Sequence, residues 1–328
     1  MRLPYFQHHT PKSLNAALKL LEKIDGRGII MAGGTELLNR MRLRLVEPEH
    51  IISLSMIRGL GNISVNKNKE IDIGATAMLN YVAHFFEKVK PYKAIHEAAI
   101  QVASHQIRNM ATIGGNILQD TRCMFYNRSR QWQKTVPPCH KRGGNICHAV
   151  KNSRRCFAVY QGDMAPVLIA LKAVAVFYTS ESTHEIPVED IFSMDGKRPI
   201  TVEGNRILAS IRIPSPEEGL FSTYKKYRIR DGVDFPLAGV AIAIKREKDI
   251  IADLRICLTG VASRPFIIKD MGHVFYGKTL SPQLMEEIAH LVFENAHPVD
   301  NLEDSSKKRR LMVRQMVFDA LLEADTCH

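Results

Sequence analysis

The sequence has little cysteine, little tryptophan and no long apolar run. Its 328 residues include six cysteines and one tryptophan. Six cysteines in a chain of this length are too few for a disulfide scaffold, and no segment approaches the roughly 18 apolar residues that span a membrane. The first residues, MRLPYFQHHTPK, lack the cationic start and apolar stretch of a secretory signal. We therefore expect a cytoplasmic protein without a membrane span, whose cysteines are metal ligands, nucleophiles or core thiols.

One long segment has no acidic residue. Between Thr121 and Cys156 there is no Asp or Glu, but there are nine cations: Arg122, Arg128, Arg130, Lys134, Lys141, Arg142, Lys151, Arg154 and Arg155. Most of the net charge of +11 at pH 7 therefore belongs to this segment, and the rest of the chain is close to neutral. The sequence also offers neither an aromatic stacking platform nor a recognition helix, so we do not expect nucleic acid as a partner.

Apolar spacing and turn residues predict an α+β chain. Residues 11–25 place leucine and isoleucine at helical intervals. From residue 221 the pattern changes to alternating, β-branched strands, typical of an antiparallel sheet, and two helical segments follow. PSPEEG, residues 214–219, is the best candidate linker. We therefore expect two domains, residues 1–215 and residues 216–328.

Two glycine turns share one chemistry. AGGTE (Ala32–Glu36) and TIGGN (Thr112–Asn116) each combine adjacent glycines with a threonine after an extended segment. Glycine lets the backbone approach a ligand closely, so that successive N–H groups point at one anion. Neither turn is a Walker loop or a GxGxxG fingerprint. Each turn alone is compatible with a purely structural role, whereas the pair is suited to holding a diphosphate from two sides.

Five ordered motifs support a resemblance to a known family. They are IMAGGTELL, ASHQIRNMATIGGN, GDMAPVLIAL, ILASIRIP and FSTYKKYRIRD. In this order and spacing the chain resembles, over essentially its whole length, the FAD-binding subunits of the xanthine dehydrogenase and carbon monoxide dehydrogenase (molybdenum hydroxylase) family. The resemblance implies an α+β fold: a bilobal FAD-binding domain with lobes at 1–55 and 56–215, and a C-terminal antiparallel sheet-and-helix domain. It implies no catalytic residue on this chain.

The resemblance also implies which residues bind FAD. Asp163 would accept from a cofactor hydroxyl, Leu208 would pack on the cofactor, and Lys225 would sit near the flavin ring. From the residues alone, Asp163 also reads as a helix N-cap and Lys225 as a surface charge. The complete implied set is Ile30, Met31, Ala32, Gly33, Gly34, Thr35, Glu36, Leu37, Val102, Thr112, Ile113, Gly114, Gly115, Asn116, Asp163, Leu208 and Lys225.

Four cysteines lie in an insertion at about residues 120–158. In the ordinary family pattern, the chain runs from the second glycine turn almost directly to the helix that Asp163 precedes. Cys123, Cys139, Cys147 and Cys156 are separated by fifteen, seven and eight residues. Structural zinc sites usually use closely spaced cysteine pairs, and the polar, basic segment offers no core for thiols. Four thiolates among cations suit a [4Fe–4S] cluster, although zinc remains an alternative and His140 and His148 remain alternative ligands.

Such an insertion resembles that of the β subunits of the 4-hydroxybenzoyl-CoA reductases, which work reductively within the same family. This resemblance implies that the four cysteines hold an extra [4Fe–4S] cluster, which accepts electrons from ferredoxin. The electrons would pass through FAD to a small [2Fe–2S] subunit and then to a large molybdopterin-binding subunit. The three kinds of subunit would form an (αβγ)2 complex that removes a phenolic hydroxyl from its substrate. The alternative is an oxidative molybdenum hydroxylase whose FAD subunit delivers electrons to NAD or quinone.

Overall fold

The computed structural model describes residues 2–202 and 204–326. The described chain forms three β-sheets surrounded by α-helices. No helix within these residues combines the length and the apolar character needed to cross a bilayer. Cys257 is fully buried in the core, and Cys327 lies outside the described residues.

The first sheet is parallel and ends at the first glycine turn. Its strands pair in the order β1-β3-β2, and two helices cover it. Adjacent residues of β3 point to opposite faces, so Ile52 packs with Ala17 and Leu18 while Ile51 packs with Leu37 and Met41. The elements are β1 (Gln7–His9), α1 (Leu14–Ile24), β2 (Gly28–Met31), α2 (Leu37–Arg42) and β3 (His50–Ser53).

The second sheet is antiparallel, with strand order β4-β5-β8-β6-β7. Its inner face packs against helices in one continuous core, in which every residue of α8 is buried. The strands are β4 (Ile63–Val65), β5 (Ile71–Gly74), β6 (Val174–Tyr178), β7 (Thr183–Pro187) and β8 (Ile207–Ile213). The helices of this region are α3 (Leu79–Phe86), α4 (Lys93–Gln101), α5 (His105–Arg108), α6 (Ile113–Ile117), α7 (Arg130–Gln133) and α8 (Met164–Ala170).

The third sheet is antiparallel, in the order β12-β11-β10-β9, and is covered on both faces. Along β10, Val240 and Ile242 face a core shared with the last two helices, whereas Ala241 and Ala243 face the core of the second sheet. The elements are β9 (Leu220–Tyr227), β10 (Ala238–Glu247), β11 (Ile250–Thr259), β12 (Phe266–Ile268), α9 (Met271–Phe275), α10 (Pro282–Asn295) and α11 (Ser306–Thr326).

The cysteine segment contains little regular structure. Besides α7 it has one 3-10 turn, His140–Arg142. An isolated antiparallel bridge between Arg122 and Val159 closes its base, with both backbone N–H···O=C distances at 2.7 Å. The segment therefore begins and ends at one point of the scaffold.

A buried arginine fastens α11 to this scaffold. Arg309 is 0% exposed and donates to the carbonyl oxygens of Leu237 and Val299, both at 2.9 Å, and to that of Gly260. Burial lowers the pKa of Arg309 to about 10, which leaves it cationic at neutral pH. Its hydrogen bonds thus offset the cost of burying the charge.

Replacing Arg309 by methionine is expected to lower the free energy of unfolding by about 2–4 kcal/mol, because several buried carbonyls lose their donor. Urea unfolding of the full chain measures the change. Lys307→Met, on the exposed side of the same helix, is the matched control and should unfold like the wild type. Equal unfolding midpoints for the two variants would contradict the assigned role.

Candidate functional site

The two glycine turns lie against each other. The first follows β2 directly, and the second opens α6, where the Thr112 hydroxyl accepts from the Gly115 N–H at 3.1 Å. A Cβ on Gly33 would lie 1.8 Å from the Met110 carbonyl oxygen. Only glycine permits this approach, and it brings the backbone N–H groups of both turns to one cleft.

The cleft between the turns has a volume of about 970 Å³, at the upper end of the range for small-molecule sites. Fifteen of the seventeen residues predicted to bind FAD line it. They are Ile30, Met31, Ala32, Gly33, Gly34, Thr35, Glu36, Leu37, Val102, Thr112, Gly114, Gly115, Asn116, Asp163 and Leu208. The two that do not are Ile113, which is fully buried in the core, and Lys225.

Two arginines in the cleft wall favour an anionic ligand. Arg40 and Arg122 line the cleft, and the Nε atom of each is buried without a hydrogen-bond partner. Arg122 also lies 3.5 Å from the Glu36 carboxylate and stacks on the Phe235 ring at 3.6 Å. Burial raises the pKa of Glu36, while the two arginines oppose that rise. Unsatisfied guanidinium N–H groups beside two glycine turns fit a diphosphate.

Asp163 forms a buried cluster with two residues of β9. Its carboxylate accepts from the Tyr224 hydroxyl at 2.8 Å and lies 3.0 Å from the Lys226 ammonium, whose side chain is 0% exposed. Lys226 also donates to the Gln101 carbonyl oxygen at 2.8 Å. Burial raises the pKa of Asp163, and Lys226 and Tyr224 act to lower it. Both of these contacts are to Oδ1 of Asp163, and the Lys226 ammonium also donates to Oδ2 at 3.3 Å.

Lys225 lies outside the lining of the cleft. Because side chains alternate along a strand, Lys225 points away from Asp163 and pairs with Glu323 of α11. The neighbouring Lys226 is the cation that pairs with Asp163. The predicted set omits Lys226, although the alternation of Tyr224 and Lys226 along β9 places both side chains on the same face of the strand.

The four cysteines of the insertion face one cavity. Cys123, Cys139, Cys147 and Cys156 all line it, although as many as fifteen residues separate neighbours in sequence. The enclosed volume is about 20 Å³, close to that of one water molecule. A larger inorganic group therefore requires the lining of this cavity to move apart.

Local backbone turns present the sulfurs. A Cβ on Gly144 would lie 1.7 Å from the Pro138 carbonyl oxygen, so glycine is required where the chain folds back beside Cys139. The Ala158 N–H donates to Cys156 Sγ at 3.4 Å, and the Phe125 N–H donates to Cys123. Such N–H···S bonds stabilise thiolates and tune iron–sulfur clusters.

Burial controls the protonation of these thiols. It raises the pKa of Cys123 to about 11 and also raises that of Cys156, so both are thiols at neutral pH until a metal binds and displaces the protons. Within the described ranges, no group of three or more His, Cys, Asp or Glu side chains is arranged to hold a single metal ion. A tetrahedral zinc site would need sulfurs about 3.8 Å apart.

Two histidines and one lysine of the segment line the thiol cavity. His140 and His148 line the cavity, but their Nε2 atoms each lie 2.9 Å from a backbone carbonyl oxygen, of Ser153 and Pro137 respectively. Among the cations, Lys141 alone is in the cavity lining, and its side chain is only 5% exposed. The cavity thus has four thiols and one fixed ammonium in its wall.

Comparisons with known proteins agree with this architecture. A model of the FAD binding domain in molybdopterin dehydrogenase matches residues 4–216. A model of the CO dehydrogenase flavoprotein C-terminal domain matches residues 222–324. Together they span nearly the whole chain.

Individual relatives match over most or nearly all of their length. The chain is 26% identical over 318 residues to the carbon monoxide dehydrogenase medium chain of Hydrogenophaga pseudoflava, covering 97% of this chain and 96% of that one. It is 30% identical over 292 residues to the aldehyde oxidoreductase FAD-binding subunit PaoB of Escherichia coli K12, covering 84% and 86%. The solved carbon monoxide dehydrogenase of H. pseudoflava superposes with a TM-score of 0.81 over 99% of both chains, at 24% identity. The predicted α+β fold is confirmed.

Replacing Gly33 by alanine is expected to reduce flavin affinity at least about tenfold, since the added methyl group pushes the two turns apart. Flavin retained per chain after gel filtration measures the effect. Gly61→Ala is the control, because its nearest neighbour atom would be 3.6 Å away, and it should retain flavin normally. Normal retention by the Gly33 variant would show that the close approach is not needed for binding.

Proposed function

The chain belongs to the family of FAD-binding domains in molybdopterin dehydrogenases, and we propose that it transfers electrons through FAD and a [4Fe–4S] cluster held by its four cavity thiols. It is the FAD-binding subunit of a molybdenum hydroxylase-type oxidoreductase. The partners in the proposal are a large molybdopterin-binding subunit and a small [2Fe–2S] subunit, in an (αβγ)2 complex. The observation that carries the proposal is the convergence of Cys123, Cys139, Cys147 and Cys156 on one cavity.

Four features support a cluster rather than zinc. Cysteine pairs at zinc-site spacing do not occur in the segment, and the described residues provide no single-ion geometry. N–H donors reach two of the sulfurs. The segment's nine cations and lack of acids offset the negative charge of a cluster with four thiolates.

The residues of the chain bind and orient the cofactors. Backbone N–H groups of the two glycine turns, with Arg40 and Arg122, suit the FAD diphosphate. In the proposal, Asp163, which is held by Tyr224 and Lys226, accepts a hydrogen bond from a cofactor hydroxyl. When bound, FAD exchanges electrons singly or in pairs, and an iron–sulfur cluster exchanges them one at a time. No residue of this chain is assigned an acid or base role in substrate chemistry, which we place on the molybdenum subunit.

We propose the reductive direction, with ferredoxin as donor and a 4-hydroxybenzoyl-CoA-like thioester dehydroxylated on the partner. The support is the thiol cavity, which provides an additional electron entry. A second candidate is the oxidative direction, with electrons delivered to NAD or quinone. The names of the relatives favour this second candidate, because they include carbon monoxide dehydrogenase, aldehyde oxidoreductase and glyceraldehyde dehydrogenase subunits.

The purified complex decides between the two directions. With reduced ferredoxin under anaerobic conditions, we expect the flavin absorbance to bleach and 4-hydroxybenzoyl-CoA to be consumed. Benzoyl-CoA, which has no hydroxyl to remove, should not be consumed. If ferredoxin fails to reduce the complex while an aldehyde substrate reduces it and NAD or quinone reoxidises it, the oxidative assignment is correct.

Replacing Cys139 by serine is expected to remove about four iron atoms per chain and the corresponding low-temperature spin-resonance signal, with FAD retained. Iron, sulfide and flavin analysis of the complex measures each quantity. Cys257→Ala is the control, because Cys257 is buried in the core away from the cavity, and it should retain all the iron. One zinc atom and no iron in the wild type would reject the cluster, and joint loss of flavin and metal would show that the segment is structural to the cleft.

A further inference from the structure

A chain of ion pairs connects the thiol cavity with the FAD cleft. Lys141 lines the thiol cavity and Arg40 lines the cleft. Both contact the carboxylate of Asp120: the Lys141 ammonium lies 2.6 Å from Oδ1 and the Arg40 guanidinium 2.9 Å from Oδ2. The Asp120 carboxylate thus forms an ion pair with one cation from each site.

Lys141 is held in one position. Its ammonium also donates to the Gly196 carbonyl oxygen at 2.8 Å and to the Thr121 carbonyl oxygen at 3.3 Å, and lies 5.1 Å from the centre of the Tyr126 ring. The side chain is 5% exposed, whereas that of Arg130 is 61% exposed. Because a buried charge is stable only with well-placed partners, Lys141 and Asp120 depend on each other.

The other end of this series of ion pairs lies at the first glycine turn. The Asp120 N–H donates to the Glu36 carboxylate at 3.4 Å, and Arg122 pairs with Glu36 at 3.5 Å. Glu36 is part of the turn itself, and Arg40 lies one helical turn further along α2. The whole group has three cations and two carboxylates, so it has a net charge of about +1 at neutral pH.

We infer that Asp120 is a positioning residue that couples the thiol cavity electrostatically to the FAD cleft. Removing Lys141 leaves Asp120 to neutralise Arg40 alone, which weakens the attraction of the cleft for the cofactor's diphosphate. Removing the Asp120 charge leaves Lys141 less neutralised beside the thiols, which favours a more negative occupant of the cavity. The coupling acts in both directions: an occupant of the thiol cavity changes FAD affinity by the same factor as FAD changes the affinity of the cavity for that occupant.

This inference rests on FAD binding in the cleft, but not on the kind of metal group in the thiol cavity. The variants Lys141→Met, Lys141→Arg and Asp120→Asn test it, with the exposed Lys151→Met as the control from the same segment. The full chain is depleted of FAD and titrated with it. We expect Lys141→Met to raise the FAD dissociation constant about fivefold to tenfold, and Lys141→Arg and Lys151→Met to leave it near the wild-type value.

A second measurement separates coupling from simple structural damage. In the metal-loaded protein, redox titration followed by spin resonance gives the midpoint potential of the cluster. Lys141→Met should lower this potential and Asp120→Asn should raise it, because the two changes alter the local charge in opposite senses. A structural disturbance would not produce opposite shifts.

The outcomes distinguish the inference from the proposed function. If Lys141→Met and Lys151→Met bind FAD equally well, or if both potentials shift in the same direction, the coupling is wrong even when the chain holds its cluster. If the wild type contains no iron, the iron–sulfur proposal fails, and the FAD titrations alone decide the coupling. If Lys141→Met does not fold, Asp120→Asn decides it: with Arg40 less neutralised, this variant should bind FAD more tightly than the wild type, and equal or weaker binding would overturn the inference.

Discussion

The close approach of two backbone turns is the constraint on which the cofactor cleft depends. At Gly33 the chain passes so near the Met110 carbonyl that no side chain fits between them. The first turn comes from a parallel sheet and the second from the start of a short helix on an antiparallel sheet, so this contact joins two separately built layers. Every other feature of the cleft wall, including Arg40 and Asp163, is arranged around that junction.

The cysteine segment is joined to this scaffold at a single backbone bridge. Because the bridge between Arg122 and Val159 returns the chain to its starting point, the segment can vary while the surrounding sheets stay the same. The fold matches the solved carbon monoxide dehydrogenase over 99% of both chains, and the four thiols of the segment line a cavity of their own. The link between the two centres is short and polar, through Lys141 and Asp120.

Much of the fold and the cleft could be predicted from the sequence, because local patterns determine them. The glycine turns, the amphipathic α1 and the alternating strands β10 and β11 each have a period or a residue type that identifies them. Short strands such as β1 and β7 were not predicted, since three to five residues give no clear period. The difference between Lys225 and Lys226 depended on the register of β9, and the bonds of Asp120 depended on tertiary contacts that no local pattern encodes.

The Asp163 cluster has a consequence for the order of assembly. Asp163 comes from the second sheet's layer, but both side chains that hold it come from β9, which is itself held by β10. Until the C-terminal sheet is synthesised and docked, this carboxylate has no buried partners and the cleft lacks one wall. Since chains fold from the N-terminus as they are made, Asp163 gains these partners only after β9 has been synthesised.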